Sequence, residues 1–221
     1  MLYQSIRIQI AIITKLINNT KFKIDKGDHL LDTHTHILWN IDDGSKNQCM
    51  SLQMLEIAAR SGTKAIFATP HVIERANKPS WEEIKEKTQQ LRQLCAEAQI
   101  DIMLYPGAEV QMNWELLPEL GATGAYCLNG GRYLLVELPA AEIPAYADEF
   151  WYELELKGIT PVLAHPERYR QLHENKDLLL LWRRRGMLMQ CNSGSFTGMI
   201  GSSVCENAKV LLANGLVDLL G

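Results

Sequence analysis

The segment of this sequence best equipped for chemistry is Asp32-Thr33-His34-Thr35-His36, at the end of a short apolar run. On an extended strand, side chains two apart share one face, so His34 and His36 can reach the same ion, whereas a helix would turn them apart. Two imidazoles at that spacing make half of a metal site. Candidates for the other half follow in Asp42-Asp43-Gly44, Thr69-Pro70-His71, Gly107-Ala108-Glu109, Glu137-Leu138-Pro139 and His165-Pro166-Glu167-Arg168-Tyr169. Asp42-Asp43-Gly44 carries two readings at this point, a simple turn or a ligand just after the His-x-His.

The elements that must position these groups are legible from residue 28 onward, where short apolar runs alternate with longer amphipathic stretches. Strands are predicted at 30–32, 65–68, 102–105, 133–137, 161–164, 187–191 and 216–220, with helices near 47–61, 81–98, 113–120, 145–157, 176–185 and 202–214. Gly62, Gly158, Gly186 and Gly215 fall where helices should stop. This alternation implies parallel strands with crossover helices, as a barrel or an open sheet, in one domain over 28–221.

In that scheme the candidate groups end consecutive strands, where α/β barrels build their active sites. His71 to Glu109 is 38 residues, and Glu109 to Glu137 and Glu137 to His165 are 28 each, the length of one strand–helix unit. A lone histidine after a strand is usually a surface or core residue, but four histidines and two glutamates at equivalent strand ends argue for a site. Glu137 is especially telling, because it follows the apolar Leu134-Leu135-Val136 and a carboxylate there needs a cation or another partner. His29 and His173 lack this context and read as ordinary histidines.

Composition excludes other classes. The chain has 221 residues, 47% of them apolar, and a net charge of -4 with no basic stripe, so nucleic acid is not an expected partner. No stretch approaches the roughly 20 apolar residues of a membrane span. Five cysteines, an odd number with no Cys-x-x-Cys, suggest reduced thiols and a cytoplasmic protein. Residues 1–27 form an N-terminal extension of different character, with Ile6, Ile10, Ile13 and Ile17 at helical spacing beside Arg7, Lys15, Lys21 and Lys23. They read as an amphipathic helix packed on the body, or on a membrane surface or partner. A signal peptide is a further reading, against which Gln9 breaks the apolar core and no small-residue cleavage site follows; an upstream start codon would also explain the segment.

Taken in order, Asp-x-His-x-His, Ile-Asp-Asp-Gly, Thr-Pro-His, Gly-x-Glu, the strand-ending Glu and His-Pro-Glu-Arg-Tyr resemble the polymerase and histidinol phosphatase (PHP) family. They are most similar to its branch of bacterial manganese-dependent protein tyrosine phosphatases, linked to capsule and exopolysaccharide synthesis. The resemblance covers about residues 30–221. It implies a distorted parallel (β/α)7-type barrel with a trinuclear metal cluster at its mouth. His34 and His36 would bind the first ion, and Glu109 would bridge two ions. Glu137 and His165 would complete the second, while Asp43 (or Asp42) and His71 would hold the third. Arg168 would engage the phosphate, and Asn192 and Ser193 match a polar motif near the site.

The chemistry that this implies is phosphomonoester hydrolysis. Clustered cations neutralise a phosphate dianion and acidify a water that can attack phosphorus in line. Mixed histidine and carboxylate ligands suit manganese, iron or zinc, and the resemblance selects manganese. The implied substrate is a phosphotyrosine protein, namely a bacterial tyrosine kinase; the oligomeric state stays open. A cysteine phosphatase is excluded directly, since Cys-x5-Arg needs an arginine six positions after a cysteine. Those positions are Leu55, Asp101, Tyr133, Thr197 and Leu211.

The family carries a further Ser/Thr-Asp-Ala-His motif after its last strand, and the strand predicted at 216–220 is followed only by Gly221. The expectation is therefore a chain truncated at the C-terminus, or a variant with a weakened cluster. Two alternatives to the tyrosine phosphatase stay open: another PHP phosphoesterase such as a histidinol phosphatase, and a non-catalytic metal-binding protein.

Overall fold

A computed structural model describes residues 30–120 and 124–221. The extension expected over 1–27 lies outside the described residues. The described chain opens with β1 (Leu30–Thr35), α1 (Gln48–Arg60), β2 (Thr63–Ala68), the two-residue β3 (His71–Val72) and α2 (Trp81–Glu97). It continues with β4 (Met103–Pro106), β5 (Glu109–Gln111), β6 (Tyr133–Glu137), α3 (Ala147–Leu156) and β7 (Thr160–Ala164). Then come α4 (Arg170–Glu174), α5 (Lys176–Arg184), β8 (Leu188–Cys191), α6 (Ser193–Phe196), α7 (Ser202–Ala213) and β9 (Leu219–Leu220).

Local sequence explains where these elements begin and end. The Asn47 side chain accepts a hydrogen bond from Met50 N and starts α1. Ser80 does the same for α2 with Glu83 N, and Glu82 and Glu83 complement the positive end of that helix. Ile84, Thr88, Leu91 and Cys95 then recur at helical spacing and form its buried face. Helices end at Gly62, Gly158, Gly186 and Gly215 as the spacing predicts, with φ between +67° and +96°. The helix expected over 113–120 is instead a 3-10 turn at Trp114–Glu119, because Pro118 lies inside it and supplies no backbone donor.

Every strand pairing is parallel among the described residues. One sheet has the order β1-β2-β4 and the other β3-β5-β6-β7-β8-β9. β2 leads into β3 across Thr69-Pro70, and β4 into β5 across Gly107-Ala108. Pro70 has no N–H for a ladder, so the strand must break there. Contact continues across both breaks, through Gly107 N donating to Ala68 O (2.9 Å) and Glu109 N donating to Pro70 O (3.0 Å). At the opposite edges, Thr33 Oγ1 donates to Leu220 O at 2.8 Å, bringing β9 beside β1.

Apolar side chains pack on both faces of the strands. Along β6, Leu134 and Val136 join a core that includes Phe150, Trp151 and Trp182 of the flanking helices. Tyr133 and Leu135 point the other way, into a second cluster with Phe67, Tyr105, Leu128, Val162 and Leu219. Burial on both faces is why this strand reads as an unbroken apolar run until Glu137. Among the described residues, no helix is long and apolar enough to cross a membrane.

Candidate metal centre

The parallel arrangement carries the predicted side chains to one end of the sheets. His34 lies near the end of β1, with His36 just past it. His71 and Glu109 open β3 and β5 directly after the two strand breaks, where they are register partners. Glu137 closes β6 opposite Gln111, and His165 follows β7. His165 sits in the left-handed region, at φ +35°. Such a conformation is costly for a residue with a side chain and is typical of functional positions.

Glu109 is the hub. Its side chain is 1% exposed, and Oε2 lies 3.1 Å from His34 Nε2, 3.2 Å from His36 Nε2 and 3.1 Å from His71 Nδ1. Its other oxygen, Oε1, is 2.7 Å from His165 Nε2. His71 Nδ1 also lies 3.3 Å from Glu137 Oε1. Among the described residues, three sets of potential ligand atoms lie close enough to hold a cation: His34, Glu109 and His165; His36, Asp43 and His71; and His71, Glu109 and Glu137. Glu109 is common to two of them. His165 therefore groups with His34, whereas the resemblance had paired it with Glu137.

The neighbours of His34 and His36 fix which ring nitrogen is free. Gln190 Nε2 donates to Cys191 O (2.8 Å) and Asn192 Oδ1 (3.0 Å). That orientation aims Gln190 Oε1 at His34 Nδ1, 2.9 Å away, so Nδ1 carries the proton and Nε2 keeps a lone pair. The Asp42 carboxylate does the same for His36, with Oδ2 2.6 Å from Nδ1. The two Nε2 atoms lie 3.2 Å apart. Two lone pairs and a carboxylate oxygen thus converge, and either protons or cations must occupy the space between them. Neutral imidazoles and carboxylates are the donor set of a transition-metal site, so the residues fit such an ion.

Both readings of Asp42-Asp43-Gly44 describe part of this loop. Asp42 is buried in the turn, accepting from Gly44 N (2.9 Å) and His71 N (3.0 Å) as well as facing His36. Asp43 is 79% exposed and has Oδ1 3.8 Å from both His36 Nδ1 and His71 Nε2. Gly44 is required by close approach, since a Cβ there would lie 2.2 Å from His36 O.

Electrostatics reflect the crowding. Burial disfavours a charged His36, but its hydrogen bonds to Asp42 and Glu109 outweigh this and raise its pKa to about 10. Burial likewise opposes ionisation of Glu109, yet the charge of His34 and the hydrogen bonds from His165, His34 and His36 hold it well below the usual carboxylate range. Asp42 is lowered against its own burial, mainly by His36.

Arg168 ends a 3-10 turn at Pro166–Arg168, exposed, and no ion pair or hydrogen bond engages its guanidinium among the described residues. Asn192 caps α6, and its backbone N–H donates to the buried Glu167 Oε1 at 2.9 Å, which also accepts from Ser195 Oγ at 2.7 Å. Ser193 N donates to Gly221 O at 2.7 Å. Glu167, Gln190 and Tyr169 join the site without an individual role that the sequence assigns. The Tyr169 hydroxyl accepts from Leu138 N at 2.9 Å, next to Glu137, while its ring lies 5.6 Å from that of His165. Gln190 did carry a signal, as a polar residue within an otherwise apolar strand.

Residues 30–221 match the family described as "Capsular polysaccharide synthesis, CpsB/CapC". The tyrosine-protein phosphatase YwqE of Bacillus subtilis (strain 168) is 35% identical over 191 residues, covering 86% of this chain and 75% of that protein. The tyrosine-protein phosphatase CpsB of Streptococcus pneumoniae is 30% identical over 164 residues, 74% of this chain and 68% of its own. A crystal structure from work on YwqE and CpsB, described as metal-dependent tyrosine phosphatases, matches with TM-score 0.79 at 32% identity. It covers 87% of this chain and 78% of that one. HisK from Listeria monocytogenes shares the fold at 11% identity, with TM-score 0.51 over 87% of this chain and 94% of that one. With its family match spanning both sheets and all the strand-end histidines and carboxylates described above, the chain belongs to the CpsB/CapC family.

Proposed function

We propose that this protein is a metal-dependent phosphotyrosine-protein phosphatase of capsular or exopolysaccharide synthesis, acting in the cytoplasm on a bacterial tyrosine kinase. The observation that carries the reading is the convergence of His34, His36, His71 and His165 on the buried carboxylate of Glu109. The ligands are His34, His36, Asp43, His71, Glu109, Glu137 and His165, and manganese is the proposed metal, in up to three ions. Residues 28–221 form one catalytic domain and 1–27 an extension to it. The strands close into a seven-stranded barrel, with β2/β3 and β4/β5 each counting once; the two-faced burial of β6 and the contact of Thr33 with Leu220 favour that closure.

Bound cations would supply charge neutralisation for the phosphate dianion and an acidified water. The residues of the chain do the rest. Asp42 and Gln190 hold His36 and His34 with Nε2 turned inward. Arg168, unpaired at the rim, is free to bind the non-bridging phosphate oxygens. Burial drives the Cys127 pKa up to about 12, and burial with Glu167 drives that of Cys191 well above the ordinary thiol range, so neither of these two thiols is a ready nucleophile.

The test is metal analysis paired with hydrolysis of a phosphotyrosine peptide, with histidinol phosphate as the comparison. Activity should require manganese, disappear with EDTA and survive iodoacetamide. His165→Ala should lose both metal and turnover. Full metal content and activity in that variant would refute the site, and preference for histidinol phosphate would refute the substrate.

A further inference from the structure

Glu167 is 1% exposed, two residues after His165 and one before Arg168. It stands in a 3-10 turn that Arg168 N closes by donating to His165 O at 2.9 Å. Two of its contacts join it to neighbouring helices. Asn207 Nδ2 of α7 donates to its backbone oxygen at 3.1 Å, and Ser195 Oγ of α6 donates to its Oε1 at 2.7 Å. Another contact leads to the candidate centre, through Asn192 N donating to the same Oε1 at 2.9 Å.

The Asn192 side chain makes no capping bond to α6 and accepts instead from Gln190 Nε2 at 3.0 Å. Gln190 Oε1 then faces His34 Nδ1 at 2.9 Å. Orientation matters here because an amide has two unlike ends. A reversed Gln190 would aim an N–H at His34 Nδ1, move the ring proton to Nε2 and remove the lone pair that a cation needs. Cys191 O, 2.8 Å from Gln190 Nε2, favours the same orientation, but it is the next residue on the strand and moves with it. Gly221 closes a further side, since a Cβ there would lie 2.5 Å from His34 Cβ and 2.8 Å from Gln190 Nε2.

His34 and His165 belong to one cation-sized group with Glu109. His165 is tied to Glu167 along the chain, and His34 is tied to it through Gln190 and Asn192. Both imidazoles therefore take their position from one buried carboxyl. We propose that Glu167 is a positioning residue, which sets the His34 ring through Asn192 and Gln190 and so joins the His34, Glu109 and His165 group to the turn that carries Arg168. The proposal rests on the metal-dependent phosphatase reading above.

The test compares Glu167→Gln, which keeps an oxygen for Asn192 and Ser195, with Glu167→Met, which removes it. Asn192→Leu cuts the same path at a half-buried position and leaves the bonds to Glu167 in place. Calorimetric titration with manganese should show one class of sites weakened by about tenfold in Glu167→Met and Asn192→Leu, and all classes within twofold of the unsubstituted protein in Glu167→Gln. In metal-free protein labelled with 15N-histidine, His34 should carry its proton on Nδ1 in the unsubstituted chain and in Glu167→Gln. A second population protonated on Nε2 should appear in Asn192→Leu, with its melting temperature nearly unchanged. Manganese affinity and a His34 spectrum unaltered by Asn192→Leu would overturn the proposal, as would Glu167→Gln as damaging as Glu167→Met. Both readouts are independent of turnover, so a protein that binds manganese as expected but hydrolyses no phosphotyrosine peptide would sink the phosphatase reading alone.

Discussion

His34 and His36 carry different neighbours on their outer nitrogens, a neutral amide from Gln190 and a carboxylate from Asp42. Both fix the ring, but the carboxylate also makes its imidazole the stronger donor. Asp42→Asn should therefore keep the fold and lower manganese affinity by roughly 10–100-fold, read by calorimetric titration. An unaltered affinity would show that Asp42 shapes only the turn. Arg168 belongs to the same scale and predicts the reverse pattern. Because no described group holds its guanidinium, Arg168→Ala should leave metal content and melting temperature nearly intact while kcat/KM for phosphotyrosine peptide falls at least tenfold. Loss of metal in Arg168→Ala would move that residue out of the phosphate-binding role.

At the scale of elements, the loop from β1 to α1 is held against the end of the strand. A Cβ on Gly44 would meet His36 O at 2.2 Å and His36 Cβ at 2.4 Å, and neither backbone nor Cβ can swing aside. Gly44→Ala should cost about 1–3 kcal/mol in chemical denaturation and reduce metal content, since Asp42 and Asp43 move with the loop. Long elements were legible because their signals are local: apolar runs gave the strands, amphipathic spacing the helices, and terminal glycines the boundaries. The strand ends that carry His34, His71, Glu109, Glu137 and His165 followed from the same reading. The breaks at Thr69-Pro70 and Gly107-Ala108 did not, because strands of two and three residues have no periodicity to detect. Gln190 escaped notice as a partner of His34 for a related reason, since the two are 156 residues apart and meet only through the sheet. Pro118 was visible in the sequence and should have argued against an α-helix over 113–120.

For the whole molecule, the crowded centre makes stability depend on pH and on metal together. In the metal-free chain the His36 pKa rises from 6.5 to about 10 on folding. Its contribution is therefore fully present below pH 6.5 and is lost as pH climbs through 10. Asp42 and Glu109 are lowered, so their contributions are present above the unfolded carboxylate range near pH 4 and vanish in acid. Chelator-treated protein should thus lose melting temperature steadily between pH 6.5 and 10. Manganese requires unprotonated imidazoles, so the gap between loaded and metal-free protein should widen over the same range. A flat metal-free profile would show that His36 is not held as described.

The break between β2 and β3 has a consequence beyond placing His71. It divides the strands into two sheets, and the centre draws on both: His34 comes from the three-stranded sheet, while His71, Glu109, Glu137 and His165 lie in or beside the six-stranded one. An ion shared between them would act as a rivet through a seam. Emptying the centre should then loosen the seam before it unfolds the helices, and amide exchange along β1 and β9 should quicken on chelation while α2 stays protected.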